Sequence, residues 1–526
     1  MAADHPHRAS VRVWCGLVVL VLPALLASMD ISVLFVAGPA IAEALRPTST
    51  QWLWAMDIYS FVLAGLLITM GSLGDRIGRR RLLLFGAGVF GGASALLAYA
   101  PSPEALVGAR ALLAVGGATL APSTLSLIRG MFVDEAQRRT AVGAWTIAFA
   151  GGAVGGPIIG GALLEHLWWG AVFLINMPVM LLLLLAGPFL VVESKNATRT
   201  RFDLPGAATS LVAILCLVLA LKQVAGHGSG LVACIAAAVG VVSAAAFLHL
   251  QRRSPHPLID LTLFRRPAFA TAVGVNTVGA LVMSGMGVLV FPFLQLVHGL
   301  SPLRSALVAV PTFAGVLLGT ATASVLGTRF TATGLLSTGL LSGTVALAVI
   351  ATVEPTTDLW LFLGAYTVLT FGSGLCGTSG TSLVLTSAPR VHAGSAAGVS
   401  ETSGALGSAL GIAGFGTVAG MVYRAALTGA APVGVEGAAL ETLGGAVAAA
   451  RRFGEADAAK VLDAAFAAYT DGLTTAALVG AVLTASLAVV IAVVRTSSTA
   501  VVAAPRLASL ADGDGRDDQG GHRVGP

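Results

Sequence analysis

The chain has 526 residues, of which 56% are hydrophobic and 10% charged, and a net charge of +5. Soluble domains carry about 25% charged residues, so most of this chain is expected to lie in lipid, which excludes a water-soluble enzyme or binding module. The basic residues stand in short clusters between apolar runs, which excludes nucleic acid as a partner and reads as membrane orientation.

A membrane span needs about 20 mostly apolar residues, and fourteen stretches reach that length. In chain order they cover 13–41, 51–73, 82–100, 104–128, 140–164, 168–192, 204–222, 230–250, 268–297, 302–327, 332–353, 358–386, 393–422 and 472–494. The first is read as a span and not a signal peptide, because it runs past Asp30 to Ile41 with no small-residue cleavage site after a short core. With both termini inside, the inner segments hold 22 of the 30 Lys and Arg residues, as the positive-inside rule requires. An all-α membrane fold is expected: a six-span bundle in 1–192, two inserted spans in 193–267, and a second six-span bundle in 268–494. Residues 425–470 are expected to form an outer amphipathic hairpin, and 495–526 a disordered cytoplasmic tail. Leu73-Gly74-Asp75-Arg76 after span 2 and Leu326-Gly327-Thr328-Arg329 after span 10 form a weak internal repeat, of the kind that lets two related bundles rock around a midplane site. The four cysteines, Cys15, Cys216, Cys234 and Cys376, sit singly in apolar runs without a CxxC or Cys/His pairing, so neither a metal nor another cofactor is expected.

Ionisable side chains inside spans are costly, at least ~2.5–3.5 kcal/mol each, and are functional candidates for that reason. Four stand out: Asp30, Asp57, Arg110 and Glu401. A buried carboxylate can load and release a proton near neutrality. The structural alternative is that these acids pair with Arg110 or with helix hydroxyls and specify packing. Glu165 and His166, at a span end, are read as solvated.

The inner loop Gly71-Ser-Leu-Gly-Asp75-Arg76-Ile-Gly78-Arg79-Arg80-Arg81 is a tight basic turn. Its Asp75 can accept hydrogen bonds from a helix N-terminus and so latch one conformation. In span 5, Gly151-Gly-Ala-Val-Gly155-Gly156-Pro157-Ile-Ile-Gly160-Gly161 combines small residues for close helix contact with a proline that bends the helix. Span 4 carries Arg110-Ala-Leu-Leu-Ala-Val-Gly116-Gly117-Ala118. Together these stretches resemble the loop, antiporter and span 4 signatures of the major facilitator superfamily, with Leu113 and Ala114 standing where a Gln and a Gly are usual. Longer runs, Leu53-Trp54-Ala-Met-Asp57-Ile-Tyr59, Val172-Phe-Leu-Ile-Asn176-Met-Pro178, Val297-His-Gly-Leu-Ser-Pro302 and Ala396-Ala-Gly-Val-Ser-Glu401, are similar to the fourteen-span drug:proton antiporters of that superfamily, the quaternary-ammonium and methyl-viologen exporters. The resemblance runs from about Trp14 to Val494.

That resemblance implies two six-helix bundles and proton-driven export of lipophilic cations, dyes and biocides, by a monomer in the cytoplasmic membrane. It places proton or cation binding at Asp30, Asp57 and Glu401, with Arg110 linked to proton transfer. It places conformational gating at Asp75, Arg76, Gly78, Arg79, Gly155, Gly156 and Pro157. Trp54, Tyr59, Trp145, Phe149 and Phe291 are expected to line the substrate path, where a ring face attracts a cation by roughly 0.5–2 kcal/mol. Partners are then small lipophilic cations, protons and membrane lipid. Two rivals remain: a dedicated exporter of one metabolite or antibiotic, and a membrane enzyme. The enzyme lacks support, since no HExxH, GxSxG or Walker loop occurs.

Overall fold

The computed structural model describes residues 9–194, 203–227, 230–254, 261–327, 329–387, 393–430, 441–451 and 453–511. Among these residues no strand occurs. Polar residues open the helices where apolar runs begin. Helix α1 (Val11–Leu45) ends on Arg46, which adopts a left-handed conformation with φ 48°. Thr48 and Gln51 then form a reciprocal capping box at the start of α2 (Ser49–Ile77). Gly78, at φ +111°, separates α2 from α3 (Arg79–Ala98); side chains rarely tolerate that backbone angle. Ser102 caps α4 (Pro103–Met131) and Asp134 caps α5 (Glu135–His166), each accepting a backbone N–H that the first helical turn leaves without a partner.

A short α6 (Ala171–Leu174) and α7 (Asn176–Leu190) complete the first bundle. Next come α8 (Leu204–His227) and α9 (Leu231–Arg253), which pack on each other. The second bundle comprises α10 (Pro267–Pro292), α11 (Pro302–Val308), α12 (Val310–Leu326), α13 (Ala332–Ile350), α14 (Leu359–Ser387) and α15 (Ala393–Ala430), followed by a short α16 (Leu443–Ala450) and a long α17 (Glu455–Ala511). Outward faces are apolar, as at Leu185 and Phe189 on α7 and Val241 and Val242 on α9. Helices with apolar residues all round belong in lipid.

Twelve helices among the described residues are long and apolar enough to cross a membrane. The expected spans at 51–73 and 204–222 coincide with α2 and α8, which fall outside those twelve. The fourteen-span count is therefore not reached on this measure. Of the expected outer hairpin, α16 and the start of α17 are helical, while 431–440 lie outside the described residues. The backbone stays helical to Ala511 where a disordered tail was expected from 495, and 512–526 lie outside the described residues.

The described hydrogen bonds between the bundles all lie toward the end that carries the α1–α2 turn. Gln295 donates to the Val36 carbonyl at 3.0 Å, Ser301 donates to the Glu165 carboxylate, and Arg451 pairs with Glu43 at 2.7 Å. Close packing follows the same side, with Gly161 against Leu303 and Gly416 against Leu53. The bundles are clamped at this end. Helix α8 lies along one flank, where Val218 joins Phe61 of α2 and Ala409 and Ala413 of α15 in one apolar cluster.

Candidate transport site

Helix α1 is held against α5 by glycines. A β-carbon at Gly152 would overlap the Leu25 carbonyl, one at Gly156 the Ser32 hydroxyl, and one at Gly160 the Val33 side chain. The gating segment read from sequence is thus used at every fourth residue: Gly156 and Pro157 are buried, but Gly155 meets only Ile159 of its own helix. Gly152 and Gly160 take the part that the sequence reading gave to Gly155. The period of an α-helix, which brings residues four apart to one face, is the signal that separates them.

This apposition and the packing of α4 against α1 bring Asp30 to Arg110. Arg110 Nη1 lies 3.3 Å from Asp30 Oδ2, and both residues are 2% exposed. A buried pair of this kind survives only when its remaining polar atoms find partners. Here Asn176 Nδ2 lies 3.4 Å from Asp30 Oδ1 and donates to Ser94 Oγ at 3.1 Å. The guanidinium carbon of Arg110 sits 5.2 Å from the centre of the Tyr59 ring, within the range of a cation–π contact. Asp57 is fully buried and close enough for its charge to act on Arg110. The structure thus gathers Asp30, Asp57, Arg110 and Tyr59 into one polar cluster, with Asn176 and Ser94 as members the sequence reading did not single out. Asn176 had a signal: an amide in an otherwise apolar run.

Glu401 stands apart from this cluster on α15, with its side chain exposed. Beside it, Asn276 Nδ2 donates to the Ser400 carbonyl at 2.8 Å and to Ser403 Oγ at 3.1 Å, which fixes α15 to α10. Trp145 and Phe149 stack on α5 with centroids 5.5 Å apart, and the indole donates to Thr124 at 3.1 Å. Phe149, Thr146 and Ile147 are exposed. Trp54 is half-buried, whereas Tyr59 and Phe291 are packed inside the bundles.

At the basic loop, the Glu193 carboxylate accepts the Arg80 backbone N–H at 2.9 Å, and Arg80 Nη1 donates to the Pro188 and Val191 carbonyls. Arg79 reaches the Pro122 carbonyl, and Arg76 is exposed. The side chain of Asp75 lies outside the described residues. At the opposite end, just beyond α10, burial holds the His298 imidazole below the usual histidine range, with Asp358 opposing that shift. His298 therefore stays neutral near pH 7.

Residues 20–412 match the Major Facilitator Superfamily. The chain is 42% identical to the multidrug efflux pump LfrA of Mycolicibacterium smegmatis, over 92% of this chain and 97% of that one. It is 33% identical to the methyl viologen resistance protein SmvA of Salmonella typhimurium, over 86% and 92%. Among solved structures, a bacterial homologue of the human lysosomal transporter Spinster, inward-facing and unoccupied, superposes with a TM-score of 0.63 at 18% identity, covering 92% of this chain and 97% of that one. That likeness concerns the fold alone. On the match over 20–412 and the extent of these relatives, the chain belongs to the Major Facilitator Superfamily.

Proposed function

We propose that the protein exports lipophilic cations across the cytoplasmic membrane in exchange for protons, with both termini in the cytoplasm. The buried Asp30–Arg110 pair carries this reading. The efflux and methyl viologen resistance named for its relatives support it. With the arginine-rich loops inside, the clamped end faces out, and the exposed Glu401, Phe149 and Ile147 face a cleft open to the cytoplasm. Fourteen spans, two of them inserted between the bundles, belong to the same proposal.

In this cycle the two acids divide the work. A cation entering the cleft meets the Glu401 carboxylate and the Trp145–Phe149 stack, while Asp30 is already held by Arg110. Protonation of Asp30 removes the charge that pairs with Arg110 and frees the guanidinium to turn toward Asp57. Because Gly152 and Gly156 lock α1 to α5, and α5 meets the second bundle at Leu303, that local change is passed to the bundle interface. Exchange of more protons than cation charges gains about 2.3 kcal/mol per net charge for each 100 mV of membrane potential.

The test is ethidium movement in proteoliposomes under an imposed pH gradient. Gradient-driven ethidium transport that Glu401→Gln and Asp30→Asn each abolish is the expected result. Normal pumping by both variants would refute the carboxylate mechanism. A single accepted compound among a panel of dyes and biocides would favour the dedicated exporter.

A further inference from the structure

At the clamped end a cavity of about 130 Å³ lies between the two bundles. Its walls include Ala42 of α1, Trp52 of α2, Leu289 of α10, Tyr423 of α15 and Tyr469 of α17, and the start of α16 closes it at Leu443. One turn below on α1, Phe35 packs on Gly287 of α10. Anything passing from the central cleft to this face must go between α1 and α2 of one bundle and α10 and α15 of the other. The cavity occupies that gap.

Its chemistry narrows the occupant. Three aromatic residues contribute to an otherwise mostly apolar wall, and Tyr469 spends its hydroxyl on the Leu289 carbonyl at 2.9 Å, leaving its ring as the recognition surface. Glu441 is the one acid among the lining residues, with Arg424 as the one base, so the net charge of the wall is near zero. Ring faces attract cations and stack on flat aromatic systems. Because both bundles supply the wall, a bound molecule would favour the closed arrangement over one in which the walls have parted, by its difference in affinity for the two.

We infer that this cavity is a second, outer site for a flat aromatic cation, filled while the bundles are closed at this end, and that a compound lodged there slows export. The inference rests on the cation-exchange reading above. It assigns the site to the exported class of compound approaching from the far side.

The probe is ethidium, with its photoreactive monoazide, applied to the clamped face of the full chain in proteoliposomes. Labelled peptides are expected to carry Trp52, Tyr423 or Tyr469, and ethidium added at that face is expected to slow export at least threefold. Gly420 lines the cavity and a β-carbon there meets nothing within 4 Å, so Gly420→Trp is expected to fill it, lower the label at least fivefold and relieve the inhibition. Gly420→Met repeats the test with a flexible side chain if the indole prevents folding. Export with label confined to peptides of the inner cleft, or label unchanged in both variants, overturns the outer site and leaves the cation-exchange reading standing. Absence of export together with absence of label overturns both.

Discussion

Asp30 and Arg110 lie 80 positions apart, and what each does depends on the other. Removing one member of a buried pair strands the other charge and costs about 3–5 kcal/mol. Asp30→Asn was expected from sequence to leave the folded protein intact, but with Arg110 at 3.3 Å its stability is expected to fall. Thermal melting in detergent checks this: Asp30→Asn melts well below the unaltered protein, Asp30→Asn with Arg110→Gln recovers most of the loss, and neither couples export to protons. Equal melting of all three would place the pair outside the stability of the fold. Glu401→Gln, at an exposed position, changes melting little. Sequence marked both charges because ionisable groups in apolar runs are conspicuous. Their pairing, and the Asn176–Ser94 support, were not legible because they depend on three helices meeting, which no local pattern encodes.

The α1–α5 contact shows what helical periodicity adds to a motif. The glycine-rich run in span 5 was visible as a gating segment, yet only one of its two faces touches α1. Gly152, Gly156 and Gly160 lie against α1 while Gly151 has open space and Gly155 meets only its own helix. Inserting bulk at a close-packed contact typically costs about 1–3 kcal/mol. Gly156→Val is therefore expected to abolish export and lower the yield of folded protein, whereas Gly155→Ala is expected to retain near-normal export; dye efflux from cells expressing equal amounts checks both. The reverse pattern would move the contact to the other face. The short α16 was legible as amphipathic, and its buried Leu443, Ala446 and Ala450 bear out that periodicity. Its seat against Tyr423 and Leu427 of α15 was not readable, since it depends on how the loop folds back.

For the molecule as a whole, closure at one end rests on a few polar links between bundles. Glu43 and Arg451 are both more than half exposed, and exposed pairs contribute about 0–1 kcal/mol. Such links are easily broken, as a reversible clamp requires. Cysteines at positions 43 and 451 joined by a short bis-maleimide, in a chain whose four native cysteines are replaced by serine, are expected to stop ethidium export while leaving binding from the cytoplasmic side intact. Undiminished export after complete cross-linking would show that this end need not part.

The flank occupied by α8 has a consequence for how a greasy compound gets in. Leu211 of α8 presses on Gly65 of α2 so closely that a β-carbon there would overlap it, and Val218 reaches both α2 and α15. The inserted helix thus works as a doorpost on that side of the cleft. On the other side, α5 and α12 present Ile147, Leu317, Leu318 and Val325 uncovered. In the proposed cycle, a molecule dissolved in the inner leaflet then has one doorway, not two, and its route of entry is chiral with respect to the membrane plane.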